Sequence, residues 1–292
     1  PIDGRADPQH YSQFFHAVLE GAYSLMALRF TILGCGTSAG VPRIGNDWGS
    51  CDPQNAKNRR TRVSILVQSD TTTILVDTSP DLREQLLEAD VIAIDAVLWT
   101  HDHADHCHGI DDLRQVYHHR VYQGRHDEPI DGYASAPAMK LLKQRFSYAF
   151  EGRDGYRQIV NGHDLSEEFS IGDIRIRCVN MPHGSIWSTG FRFEHGGRSV
   201  GYATDFHEVT DAIVDLFYGV DVWIVDALRY APHPTHTNVD QALSWIALMK
   251  PRRAVLTNMH TDLDYEVLRA KLPDGVVPAY DGMRLEANDP SS

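Results

Sequence analysis

From Leu28 onward the chain is a succession of short apolar runs bounded by Gly, Pro and Asp. Leu28–Leu33, Val63–Val67, Thr73–Val76 and Ala96–Thr100 have strand length and aliphatic or β-branched content, and predict a first set of strands. A second set is predicted over Ile174–Val179, Thr189–Glu194, Ser199–Ala203, Val222–Val225 and Ala254–Thr257. Between them lie helical patterns in Pro80–Ala89, Ala138–Phe150, Val209–Phe217, Val239–Lys250 and Tyr265–Lys271, several opened by a capping residue or a proline. Two runs of strands, each interleaved with helices, imply sheets covered by helices on their outer faces. The fold class expected is α/β, a four-layer αβ/βα sandwich of two mixed sheets whose halves meet around Asp154–Gly172.

Residues 1–27 differ in texture: Pro, Asp, Gln and His, then an amphipathic stretch at Phe14–Leu25. They are set apart as an N-terminal extension without an assigned role, and 28–292 is expected to form one domain. At 292 residues the chain buries a sizeable core easily. No apolar run approaches the roughly 18 residues that span a bilayer, so no membrane contact is expected. Cys35, Cys51, Cys107 and Cys178 are too scattered for a disulfide framework, and the chain carries no basic and apolar leader pattern, so a cytoplasmic location is expected. With 27 basic and 40 acidic side chains the formal charge is −13, which opposes attraction to nucleic acid and favours a small substrate. The cluster Lys57, Arg59, Arg60 and Arg62 either pairs with substrate phosphate or with surface carboxylates. A homodimer is compatible with this sequence.

Sixteen histidines are far more than folding needs, and their positions carry the chemistry. Directly after the strand ending at Thr100 comes His101-Asp102-His103-Ala104-Asp105-His106, five potential metal ligands within six residues. In extended chain His101 and His103 share a face, because side chains alternate with period two. Asp105 and His106 fall where the backbone turns into a helix. Further ligand types follow other strand ends: His183, Asp205 and His260. Convergence of separate strand ends is how α/β folds assemble sites. Seven such groups suit two divalent ions about 3.5–4 Å apart, bridged by a carboxylate, with a bound water whose pKa falls towards about 7, so that a bridging hydroxide is the expected nucleophile. Asp205, with two oxygens, is the favoured bridge; Asp105 binds a metal and orients the nucleophile.

This constellation resembles the metallo-β-lactamase-fold hydrolase superfamily. The opening Leu33-Gly34-Cys35-Gly36-Thr37-Ser38-Ala39-Gly40-Val41-Pro42 and the later Asn58-Arg59-Arg60-Thr61-Arg62-Val63-Ser64 are similar to its phosphodiesterase branch. That branch includes the phosphoribosyl cyclic phosphate phosphodiesterases of phosphonate breakdown and, more distantly, ribonuclease Z. The resemblance implies that His101, His103 and His183 hold one ion, that Asp105, His106 and His260 hold the other, and that Asp205 bridges. It implies Asp77 as a support behind the metal-binding loop, and His236 over the scissile phosphate, where it protonates the leaving oxygen or stabilises charge; the donor types suit zinc, manganese and iron alike, and zinc or manganese is the expected metal.

Two departures are visible. Around Gly45–Cys51 only Cys51 remains of the cysteines with which a relative builds a structural zinc site, so no structural zinc is expected. In Thr257-Asn258-Met259-His260 an asparagine stands where that relative has histidine, so His260 must reach the metal from two positions later. His118, His119, His126, His163, His195 and His207 match no ligand spacing, and Tyr230–Thr237 is expected to form a loop beside the site. The expected function is hydrolysis of a small nucleotide-like or cyclic phosphate diester, with His236 and Asp105 as catalytic groups. The alternatives are a tRNA-type endoribonuclease, a lactone or thioester hydrolase of the same fold, and a non-catalytic nucleotide-binding protein.

Overall fold

The computed structural model describes residues 27–122, 124, 128–153 and 155–287. The expected amphipathic stretch Phe14–Leu25 and His126 lie outside them. One seven-stranded sheet holds β1 (Arg29–Gly34), β2 (Ser64–Gln68), β3 (Thr73–Val76), β4 (Ala96–Leu98), β5 (Ile130–Ala134), β6 (Val160–Asp164) and β14 (Arg284–Glu286), in the order β14-β1-β2-β3-β4-β5-β6. The other holds β7 (Glu168–Ile171), β8 (Ile174–His183), β9 (Ile186–His195), β10 (Arg198–Ala203), β11 (Val222–Asp226), β12 (Arg253–Thr257) and β13 (Val276–Pro278), in the order β13-β12-β11-β10-β9-β8-β7. Each sheet is antiparallel on one side and parallel on the other, the parallel pairs running from β3 to β6 and from β10 to β13.

Period-two alternation builds the layers. In β2, β3 and β4, residues Ile65, Val67, Ile74, Val76, Ala96 and Leu98 face the core shared with Ile174, Ile176, Phe191, Phe193 and Tyr202 of the second sheet. Their alternates Leu66, Leu75, Val97 and the following Trp99 face the helices, meeting α1 (Leu82–Glu88) through Leu82 and Leu86 and α3 (Leu113–Tyr122) through Leu113 and Val116. Strands buried on both faces read as continuous apolar runs, which is why these were visible in the sequence. The two mixed sheets with outer helices are the four-layer arrangement expected, and the chain passes from one sheet to the other at residues 165–167. Among the described residues no helix is long and apolar enough to cross a membrane.

The structure breaks one expected helix and adds five strands that were not expected, β5, β6, β7, β13 and β14. The single helix expected over Ala138–Phe150 is α4 (Ala136–Arg145) and α5 (Ser147–Glu151), broken at Phe146, which leaves helical geometry at φ −120°, ψ 39° and packs its ring on the helix-side core. Strands β5 and β6 were not expected, because Ile130-Asp131-Gly132-Tyr133-Ala134 and Val160-Asn161-Gly162-His163-Asp164 carry glycine and polar residues. Gly132 is there for packing: a Cβ would lie 2.6 Å from the Trp99 ring.

Beyond β1 the glycine-rich segment joins the two sheets. Cys35 O accepts from Met259 N and Met259 O from Thr37 N, just past β12. Asp281 ties this junction together, accepting from Cys35 N at 3.0 Å, Thr61 N at 2.6 Å and Thr61 Oγ1 at 2.7 Å. Burial pushes its carboxyl up to about 6, against the pull of these donors. A carboxyl raised in the folded state contributes stability fully below its unfolded value near 4, and that contribution is lost as pH rises through about 6. Denaturant titrations of wild type and Asp281→Asn at pH 4 and pH 7 should therefore diverge. The variant should gain about 2–3 kcal/mol relative to wild type over that interval. A pH-independent difference would contradict this account of Asp281.

Candidate metal centre

The site lies where strand ends meet. His101, His103 and His106 follow β4, the last of them on α2 (Ala104–Cys107); His183 ends β8; Asp205 follows β10; Asp226 ends β11; Asn258 follows β12. Asp77, Asp205 and Asn258, each just past a strand, all adopt left-handed backbone at φ 63°, 60° and 60°. Asp and Asn tolerate this region better than other side-chain-bearing residues. The effect is to turn the chain sharply as the strand finishes.

Behind the ligands a polar network fixes ring orientation. Asp77 is fully buried and accepts from Thr100 N at 2.8 Å, Thr100 Oγ1 at 2.9 Å and His106 Nδ1 at 2.7 Å. Thr100 Oγ1 in turn lies 3.0 Å from His101 Nδ1, which donates to it. Both imidazoles thus commit Nδ1 to the network and keep Nε2 for the centre. His183 does the same through Thr235, whose carbonyl accepts from Nδ1 at 2.9 Å. Asp102, the odd residue of the motif, points elsewhere and pairs with Arg145 at 2.6 Å. Gly109 lets α2 seat on the loop after β3, since a Cβ there would meet Ser79 O at 1.9 Å.

At the centre Asp205 divides its two oxygens. Oδ2 lies 3.3 Å from His106 Nε2, and Oδ1 lies 3.8 Å from His183 Nε2 and 3.6 Å from His236 Nδ1. Three groups of potential ligands result: His101, His103 and His183; His101, His106 and Asp205; His183, Asp205 and His236. The Nε2 atoms of His101 and His106 are buried without any hydrogen-bond partner. Buried imidazole nitrogens that make no hydrogen bond and stand beside carboxylates fit a divalent cation.

The electrostatics agree. Burial, then the nearby His106 charge, hold His101 well below its ordinary range, and burial lowers His183, so both are neutral and ligand-competent. Burial also acts on His106, but Asp205, Asp105 and Asp77 together outweigh it and raise His106 well above its usual value. Asp205 stays ionised: burial opposes this, yet His106, His236 and His101 hold its carboxyl far down. His236 is raised to about 9; burial works against this, and the hydrogen bond and charge of Asp226, then the charge of Asp205, prevail.

Six of the seven expected ligands gather here, with Asp105 at the margin, its Oδ2 3.5 Å from His106 Nε2. His260 does not. Its Nε2 lies 3.4 Å from Arg43 Nη1 and its Nδ1 3.2 Å from Asp262 Oδ1, and it joins none of the ligand groups. The left-handed turn at Asn258 is the reason: it aims Asn258 inward, with Nδ2 3.3 Å from Asp205 Oδ2 and 3.4 Å from His236 Nδ1, and carries His260 past the centre. His236 does reach the site, on the expected loop. The sequence reading did not single out Asp226, which is fully buried and holds His236 Nδ1 at 3.3 Å; its place at the end of a strand, like that of Asp205, was the available signal. The basic cluster is used internally: Arg62 pairs with Asp81, Arg59 covers Trp48, Lys57 covers Tyr265, and Arg60 is buried.

Residues 72–259 match the model of the beta-lactamase superfamily domain. The chain belongs to that superfamily. A diphosphatase of the PhnP family shares 35% identity with a TM-score of 0.81, over 89% of this chain and 97% of that one, which places the chain in the phosphodiesterase branch. The short form of human tRNase Z superposes at TM-score 0.64 with 17% identity, over 88% of this chain and 98% of that one, a likeness of fold. Among curated proteins, an octanoyltransferase of Porphyromonas gingivalis is 29% identical over 264 residues, 88% of this chain and 51% of that protein. The exodeoxyribonuclease WalJ of Streptococcus pneumoniae is 23% identical over 46% of this chain and 44% of that protein. The chain thus spans about half the length of these curated relatives.

Two measurements test the geometry. Asp77→Ala leaves buried donors unpaired and should lower stability by about 2–4 kcal/mol in denaturant titration; a change within error would mean that the network does not hold the loop. After equilibration with zinc and dialysis, His101→Ala should carry less metal per chain than wild type and His260→Ala as much. The reverse order would restore His260 as a ligand.

Proposed function

We propose that the chain is a binuclear metal-dependent phosphodiesterase acting on a small nucleotide-like or cyclic phosphate diester. The observation that carries this reading is the division of Asp205 between two sets of imidazoles, Oδ2 towards His106 and Oδ1 towards His183. On it, His101, His103 and His183 would hold one ion and Asp105 and His106 the other, with Asp205 available to both. Zinc or manganese suits such nitrogen and carboxylate donors. When bound, divalent ions there supply charge stabilisation at a phosphate oxygen and a more acidic water.

The remaining steps belong to side chains. Asp105, at the margin of the centre, accepts a proton from the attacking water and orients it. His236 holds a proton, kept there by buried Asp226, and delivers it to the leaving oxygen. The network from Asp77 through Thr100 keeps the rings from turning as charge moves, which is the preorganisation that transition-state stabilisation needs. A polyanionic RNA substrate is disfavoured by the charge of −13 and by the internal use of Lys57, Arg59 and Arg62. Similarity to a PhnP-family diphosphatase supports a second reading, in which the cleaved bond joins two phosphates.

Metal-loaded protein should hydrolyse bis(p-nitrophenyl) phosphate, and Asp205→Ala should lose on the order of 10²-fold or more in kcat/KM, because several kcal/mol of charge stabilisation go with the ions. Undiminished turnover by that variant would refute the mechanism.

A further inference from the structure

Of the three imidazoles proposed for one ion, two are braced from behind and one is not. His101 Nδ1 rests on Thr100 Oγ1, and His183 Nδ1 on Thr235 O. Among the described residues the His103 ring makes no hydrogen bond outside the imidazole cluster, and unlike the other two it is exposed. Its Nδ1 lies 3.3 Å from His183 Nε2, so Nδ1 is the atom turned to the centre. Nδ1 is bonded directly to Cγ, one bond closer to the backbone than Nε2. Where it sits therefore follows the backbone around His103.

That backbone is held from outside the site. Asp102, the preceding residue, is buried and joins none of the ligand groups. Arg145 grips it twice: Nη2 donates to Asp102 Oδ2 at 2.6 Å, and Nη1 donates to Asp102 O. Cys107 Sγ adds a donor to the same carbonyl at 3.4 Å. This carbonyl belongs to the rigid peptide plane that ends in His103 N, so fixing its oxygen orients the plane from which His103, the N-cap of α2, departs. An exposed ion pair by itself contributes little. A guanidinium that places two donors on two acceptors of one residue restricts direction as well as distance.

The break after α4 brings this grip to the loop. Arg145 is the last residue of α4, where the helix dipole favours a cation, and Phe146 leaves helical geometry directly after it. The Phe146 ring meets that of His108, the residue capping the end of α2, edge to face at 5.6 Å and 84°. One corner of the chain thus touches the metal-facing segment on both sides, at Asp102 before His103 and at His108 after α2.

We propose that Arg145 is a positioning residue for His103, fixing the Asp102–His103 peptide so that the exposed imidazole stays in the ligand set with His101 and His183. This role rests on the metal-binding reading above and adds to it a determinant of metal affinity outside the ligands.

Zinc affinity of the full chain, measured by competition with a chromophoric chelator, tests the role in wild type, Arg145→Ala, Arg145→Lys, His103→Ala and the double variant Arg145→Ala with His103→Ala. Melting of each metal-free protein is recorded alongside. Arg145→Ala should weaken zinc binding about 10–100-fold, the range for residues that orient a ligand from behind, and Arg145→Lys should recover part of the loss. Metal-free melting should stay near that of wild type, because the Arg145 side chain is 42% exposed. In the His103→Ala background the Arg145 substitution should add no further loss, since both act through one ligand. Unchanged affinity in Arg145→Ala, equal losses in both backgrounds, or a loss that follows a fall in metal-free melting and is not relieved by lysine overturns the positioning role and leaves the metal-binding reading standing. Wild type that takes up no zinc overturns that reading and this role with it.

Discussion

A single carboxylate without solvent contact organises the centre. Asp77 accepts three hydrogen bonds from Thr100 and His106, and through Thr100 it also reaches His101. Thr100, His101 and His106 of the loop after β4 are therefore referred to one fixed acceptor at the end of β3. The consequence runs outward: Nε2 of His101 and His106 turn to the centre without a hydrogen bond, Asp205 stays ionised beside them, and the concentration of buried carboxylates around His106 demands positive charge. A proton on His106 meets part of that demand, and divalent ions meet it better.

The two sheets matter to this arrangement because their parallel strands end at the same place. β3 and β4 bring Asp77 and the histidine loop from one sheet; β10, β11 and β12 bring Asp205, Asp226 and Asn258 from the other. The glycine-rich segment after β1 stitches the sheets together at Met259, beside the ligands, and Asp281 closes the stitch. Two structural halves are thus held in register at the point where their side chains must meet.

Legibility from sequence followed the range of the interactions. His101 through His106 were readable because strand alternation and a helix start fix their directions locally. His183 and Asp205 were readable because they end runs that are plainly buried strands. His260 lies outside the candidate ligand groups because its direction depends on the backbone sign at Asn258, a turn that spacing does not reveal. Asp226 was overlooked for a related reason: a strand-end aspartate gains meaning only when its neighbour, here His236 on a distant loop, is known. In the fold, the strands buried on both sides were apparent, whereas β5 and β6 were hidden by glycine and polar residues that packing against Trp99 and the helices requires.

The left-handed backbone at Asp77, Asp205 and Asn258 carries one more implication. Such conformations cost free energy that glycine would not incur. At these three positions the residue that would best relax the chain is the one that removes the functional side chain. Durability and reactivity therefore pull in opposite directions at the same atoms, and drift towards a sturdier variant would erode the chemistry first where the strands finish.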